Sequence, residues 1–229
     1  MYRKLAFILV VLLLPINAAF AYYDLGRPTG FVDDYTNTLT LEQKDLLENK
    51  LAVFERQTTN EVFVVVIQSL RGDSVENFAN KLFNNWGIGK KDKNNGALFL
   101  ISLDEHQTRI EVGYGLESLV TDAQAFQLID KIAKPAFRNL DYYDGIDTVI
   151  TTLFTLIEGG EIKLNSNSEQ GSFDTKSFVI DIVILLIILF LSKGSIWWFG
   201  VFGSGGRSGG GFSGGSGGKS GGGGASGSW

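Results

Sequence analysis

Two apolar runs of strand length constrain this chain most. Val62 to Ile67 is a continuous β-branched and aromatic run, and Ala97 to Leu103 is almost unbroken. A strand that is apolar at every position is buried on both faces, so its sheet needs helices on either side. Between the runs, Val75, Phe78, Ala79, Leu82, Phe83 and Trp86 repeat at helical spacing behind Asp73 and Glu76, which reads as a capped helix. Strand, helix and strand in this order predict a right-handed parallel crossover. Upstream, Thr40 with Gln43 makes a capping box before Leu47, Leu51 and Phe54, so a first helix is expected over residues 41–58. Downstream, Thr121 with Gln124 opens a helix with Phe126, Ile129, Ala133 and Phe137 on one face. Asp141 with Asp144 opens another, striped by Ile146, Val149, Ile150, Leu153, Phe154 and Ile157. The expected class is α/β: a single three-layer α/β/α domain around a small mixed sheet.

Thr108 to Val112 alternates, so it reads as a half-exposed strand hairpinned to the second apolar run through Asp104, Glu105, His106 and Gln107, with Arg109 facing solvent. An antiparallel hairpin returns the chain to its start. The loop Gly113 to Glu117 is therefore expected beside the loop Asp92 to Gly96, where Asp92, Asn94, Glu117 and Asp122 offer oxygens suited to a hard cation such as Ca²⁺ or Mg²⁺. Asp33 and Asp34 are candidate ligands too. The first helix runs against the strand after it, which sets its start at the other end of the sheet, yet the six residues from Asp34 to Thr40 can stretch about 20 Å. The loop at Asp92 does not have EF-hand spacing, and Asp122 also suits the first turn of a helix on dipole grounds. Gly113 and Gly115 read as positive-φ turn residues around a displayed Tyr114.

Several chemistries are excluded by composition. The chain has no cysteine, hence no thiolate nucleophile, thiolate metal site or disulfide. His106 is the only histidine, which leaves no multi-histidine metal centre, and in a hairpin turn it reads as solvated. No Asp-x-Asp pair supplies an aspartyl-phosphate nucleophile, and Gly113-Tyr114-Gly115 lacks the third glycine of a dinucleotide loop. A formal charge of -5 gives no case for nucleic acid.

The ends have their own signatures. Arg3 and Lys4, an apolar run and Ala19-Phe20-Ala21 have the layout of a secretory signal over residues 1–21. The domain is expected over 22–160, followed by an acidic linker (161–176) and an apolar stretch (177–199) long enough for one transmembrane helix, bounded by Trp197 and Trp198. Residues 200–229 are almost wholly Gly and Ser and are expected to be a disordered tail, because they bury too little to offset their ordering entropy. Positive residues after the apolar stretch put the tail in the cytoplasm and the domain outside, on a bacterial inner membrane.

Val32-Asp33-Asp34, Trp86-Gly87-Ile88-Gly89, Asn95-Gly96-Ala97-Leu98, Glu111-Val112-Gly113-Tyr114-Gly115-Leu116-Glu117 and Thr121-Asp122-Ala123 follow one another in an order that resembles the TPM domain family over about residues 25–158. The Gly-rich tail with Trp229 is similar to the family's bacterial membrane-anchored branch. The resemblance implies a layered α/β fold and an accessory role in the assembly, maintenance or modulation of envelope membrane complexes, with a membrane-protein partner and a bound divalent cation. It also implies an alternative, a metal-dependent acid phosphatase. There the cation would polarise the phosphoryl group and Glu117 or Asp122 would be ligand or base, but no positioned nucleophile is present and Arg71 and Arg109, the only candidates near the sheet, make no clear phosphate clamp, which argues against it.

Overall fold

The computed structural model describes residues 23–161 and 214–229. The expected signal peptide (1–21), nearly all of the linker, the expected transmembrane helix (177–199) and the start of the tail lie outside the described residues. One mixed sheet holds five strands in sequence order: β1 (Val32–Asp34), β2 (Glu61–Ile67), β3 (Gly96–Ser102), β4 (Gln107–Val112) and β5 (Gly223–Ser228). The first three are parallel, and β4 is antiparallel to both neighbours. The helices are α1 (Leu41–Thr58), α2 (Val75–Trp86), α3 (Asp122–Leu128), α4 (Lys134–Arg138) and α5 (Tyr142–Ile157), with a π-helical segment, Ile129–Ala133, between α3 and α4.

The apolar runs behave as their composition requires: every residue of β2 and β3 is buried. The register shows which helix covers which face. Phe99 and Ile110 share a row, and the ring of Phe99 stacks over Phe137 of α4 with centroids 6.3 Å apart. Glu111, one residue on and so on the opposite face, meets Asn80 of α2. Thr40 and Thr121 each form the full capping box, worth about 1 kcal/mol apiece. Trp86 is packed in the core, and its indole N–H donates to the Gly26 carbonyl at 2.6 Å. In the β3–β4 turn, Glu105 accepts from Ser69, Ser102 and the Leu70 N–H. Burial opposes its charge, but these hydrogen bonds prevail and hold the carboxyl below its ordinary value.

The main departure from expectation is the tail. Residues 214–229 are not disordered: residues 223–228 form β5, paired residue for residue with β4 from Val112↔Gly223 to Gln107↔Ser228. The entropy argument weighed side-chain burial alone, whereas this segment is held mostly through its backbone. A topological correction follows. Because β4 and β5 pair within one chain they share one compartment, and a single crossing by residues 177–199 would set them on opposite sides of the bilayer. No helix among the described residues is long and apolar enough to cross a membrane. The expected architecture, a spanning helix leading to a disordered tail, therefore gives way to an α/β domain whose sheet includes that tail.

Smaller departures have local causes. β4 is an inner strand, not a half-exposed one, so Arg109 is buried. The helix expected from Thr121 is wound through the π segment, which shifts the buried stripe to Ala125, Leu128, Ile129, Ala133 and Phe137 and leaves Phe126 exposed. Ser74, not Asp73, caps α2, accepting from the Asn77 N–H, and Asp141 makes no side-chain cap bond.

Candidate functional site

The two Gly-bearing loops do meet. The Gly113 N–H donates to the Gly96 carbonyl (2.8 Å) and the Gly115 N–H to the Asn94 carbonyl (3.0 Å). The two glycines are required by this close approach and not, as the turn reading supposed, by positive φ. A Cβ at 113 would fall under 3.0 Å from the Asn94 carbonyl oxygen, and one at 115 equally close to that of Lys93.

The six candidate cation ligands are not brought together. Asp33 accepts from the N–H and hydroxyl of Thr29, and Asp34 from Thr36 and the Leu39 N–H. Both lie at the C-terminal end of the parallel strands, since Asp34 pairs with Val66 and Val66 with Ile101. Five residues along the strands, about 16 Å, separate them from the loops at Gly96 and Gly113, which also lie two and three strand spacings across, roughly 10 and 14 Å. Of the remainder, Asp92 and Glu117 are exposed. Asn94, held at φ 50°, uses its side-chain oxygen to accept from the Lys219 N–H at 3.0 Å. Asp122 accepts from the Gly224 N–H at 2.7 Å. Among the described residues no group of three or more His, Cys, Asp or Glu is arranged to hold a metal ion. As a set, these residues do not fit one cation.

Two of them instead receive the tail, along with residues outside the candidate ligand set. Glu61, fully buried at the start of β2, accepts from the N–H groups of Gly89 (2.7 Å) and Gly215 (2.9 Å) on one oxygen and from Lys90 Nζ (2.9 Å) on the other. Gly217 and Gly218 donate to the carbonyls of Gly87 and Gly89 at 2.8–3.0 Å. Ser220 is clasped at both ends: its N–H donates to Asn84 Oδ1 (3.3 Å), and its hydroxyl donates to Glu111 Oε1 (2.6 Å). Arg109 donates to the Gly222 carbonyl (2.8 Å) and to Ser226 Oγ (3.0 Å) while paired with buried Glu111 at 2.6 Å. Trp229 closes the lane, with its ring edge-on to Phe137 (centroids 5.0 Å) and His106 (5.6 Å) and its N–H donating to the His106 carbonyl at 3.2 Å. The turn histidine is thus a wall of an aromatic socket.

The electrostatics fit a backbone ligand. Glu61, Glu111 and Asp122 aim carboxylate oxygens at the lane, and charge-assisted acceptors make the stronger hydrogen bonds to N–H and O–H donors. Burial opposes the charge of Lys90, yet its bonds to Glu61 and Glu55 hold its pKa above the ordinary value, so the ammonium stays on Glu61. Burial also opposes ionisation of Glu76, but the Ser226 hydroxyl, its own backbone and Arg109 lower its pKa below 4.5. Docking therefore favours ionised Glu76: the Ser226 contribution is complete above pH 4.5 and is lost as pH falls through the docked pKa. The protection factors of the amides at residues 223–228, which correct for the intrinsic slowing of exchange in acid, should fall as the medium is acidified below that value, and Glu76→Gln should remove this part of the pH dependence. An unchanged profile in Glu76→Gln would contradict the coupling.

The lane was hidden because its two halves carry different signals. Asn80 and Asn84, a turn apart, lie outside the apolar stripe that marks α2, and Arg109 reads as solvent-facing on an alternating strand. The one available clue was Trp229, an aromatic at the end of a long Gly/Ser run.

Among solved structures, the chain is similar to the N-terminal domain of a protein from P. gingivalis, determined by solution NMR, at 29% identity and a TM-score of 0.53, over 57% of this chain and 83% of that one. The N-terminal domain of the cg2496 protein from Corynebacterium glutamicum also matches, at 17% identity and a TM-score of 0.45, over 66% of this chain and 93% of that one. No curated protein matches significantly. The family profile described as the TPM domain covers residues 32–156, more than half of the sequence, and the chain belongs to the TPM domain family.

Proposed function

We propose that this protein is an extracytoplasmic accessory protein that takes up an extended segment of a membrane-protein partner at the β4 edge, in the assembly or maintenance of an envelope complex. One observation carries the reading: residues 23–161 leave the outer edge of β4 unpaired, and that edge accepts a six-residue antiparallel strand. Strand addition takes affinity from main-chain hydrogen bonds and specificity from side-chain pockets, and the lane has both. The tail fills the edge in the resting chain, as a protected sheet requires. The signal-like layout of residues 1–21 favours the extracytoplasmic side, and the apolar run from Phe178 favours a membrane partner. The phosphatase alternative has weaker support. Arg109 is committed to Glu111 and the tail, and Arg71 stacks on the Tyr23 ring at 3.5 Å.

The test is photo-crosslinking in native membranes with benzoylphenylalanine at position 114, where Tyr114 is 56% exposed beside the lane. A discrete membrane-protein adduct should form, and its yield should rise several-fold when Trp229→Ala loosens the tail. No adduct, or a yield indifferent to the tail, would sink the reading. Phosphomonoester turnover abolished by Asp122→Ala would restore the hydrolase.

A further inference from the structure

The glycines of the tail are placed by steric demand. A Cβ at 218 would lie under 3.0 Å from the Ile88 carbonyl oxygen, and one at 224 under 3.0 Å from that of Ile110. The same limit is broken at 215 against the Trp86 carbonyl and at 227 against the Ile129 side chain. Gly215, Gly217, Gly222 and Gly224 also have φ between 77° and 115°, where a side chain is strained. Between them stand residues of another kind: Ser220 gives its hydroxyl to Glu111, Ser226 Oγ accepts from Arg109, Ser228 is exposed, and Trp229 fills the socket of His106, Phe137 and Tyr142. A lane that tolerates no Cβ at set positions and wants hydroxyls and an aromatic at others is a sequence reader. Flexibility alone would place no such demands.

Resting on the strand-accepting reading above, we propose that the partner segment has the chemistry of the tail itself: a Gly/Ser-rich extended stretch with glycines at the positions of 218 and 224, a hydroxyl at 220, and a Trp or equivalent aromatic five residues beyond the second glycine. The tail is the resident occupant, and a partner displaces it by matching the same pattern. Because the tail belongs to the same chain, its docking is intramolecular, so a partner must match the full pattern to compete.

The experiment uses the full chain carrying Gly224→Val and Trp229→Ala, whose released tail is verified by amide exchange, with synthetic peptides of residues 214–229 followed by NMR. The native peptide should bind saturably, shifting residues 107–112 and 87–94 and the ring of Phe137. A Trp229→Ala peptide should bind at least about thirtyfold more weakly, as for a buried aromatic hot spot. Gly218→Val and Gly224→Val peptides should not bind, whereas a Ser228→Val peptide should match the native one. Equal binding by all peptides would overturn the pattern while leaving strand acceptance standing. No binding by any peptide to the released chain would overturn strand acceptance itself. A heterodimer formed with the wild-type chain, seen by sedimentation, would assign the segment to a second copy and overturn a separate partner.

Discussion

Glu111→Ala is expected to destabilise the domain by about 3–5 kcal/mol, the cost of leaving a buried charge without its partner. Glu111 is fully buried, and one oxygen takes both Nε and Nη2 of Arg109 at 2.6 Å. Its other oxygen takes Asn80 Nδ2 at 2.8 Å and the Ser220 hydroxyl at 2.6 Å. Truncation would strand a guanidinium and two donors away from water at one stroke. Glu111→Gln keeps the shape and loses the charge, so its expected cost is smaller, about 1.5–3 kcal/mol. Replacing Arg109 and Glu111 together by leucine should recover much of the loss in stability. That pair should hold the tail less tightly, because the Arg109 bonds to Gly222 and Ser226 and the Glu111 bond to Ser220 are gone. Denaturant midpoints at constant slope would read the first effect, and exchange at residues 223–228 the second. A wild-type midpoint for Glu111→Ala would show that the pair is not buried as described.

What the sequence disclosed and what it hid divide along one physical line. Patterns that depend on neighbours in sequence were legible: the all-apolar β2 and β3, the capping boxes at Thr40 and Thr121, and the hairpin that brings Gly113 beside Gly96. Everything that depends on a strand arriving from residue 223 was not. The alternation from Thr108 to Val112 is real, but its polar face meets α2 and the serines of the tail in place of water, so Arg109 and Glu111 are core residues. The loop that carries Glu117 meets the one at Asn94, as the hairpin requires, but Asp122 opens α3 and meets the donor N–H of Gly224. Asp33 and Asp34 were separable on topology, since parallel strands fix which end each loop occupies. Gly and Ser in a low-complexity run carry no hydrophobic period, so steric requirements on individual glycines leave no trace in composition.

Those requirements make Gly224→Val the sharpest test of the docked tail in the intact protein. The added Cβ would fall under 3.0 Å from the carbonyl oxygen of Ile110, a backbone atom of the central ladder that cannot swing aside, and φ at 224 is 115°. A β-branched side chain in that conformation costs of order 1–3 kcal/mol in backbone strain alone, before the clash. Since β5 otherwise presents a small apolar surface, relief should come from detachment of residues 223–228 and not from unfolding of residues 23–161. Exchange of the β5 amides should rise about a hundredfold, the equivalent of roughly 3 kcal/mol. The amides of β2, buried three strands away, should keep their protection. Ser228→Val is the matched control: the same residue is introduced into the same strand at an exposed position, where β-branching is favourable. If Gly224→Val leaves the exchange of β5 where Ser228→Val leaves it, the register Gly224↔Glu111 is wrong. If both release the tail, the effect of valine does not depend on position and the lane reads no sequence.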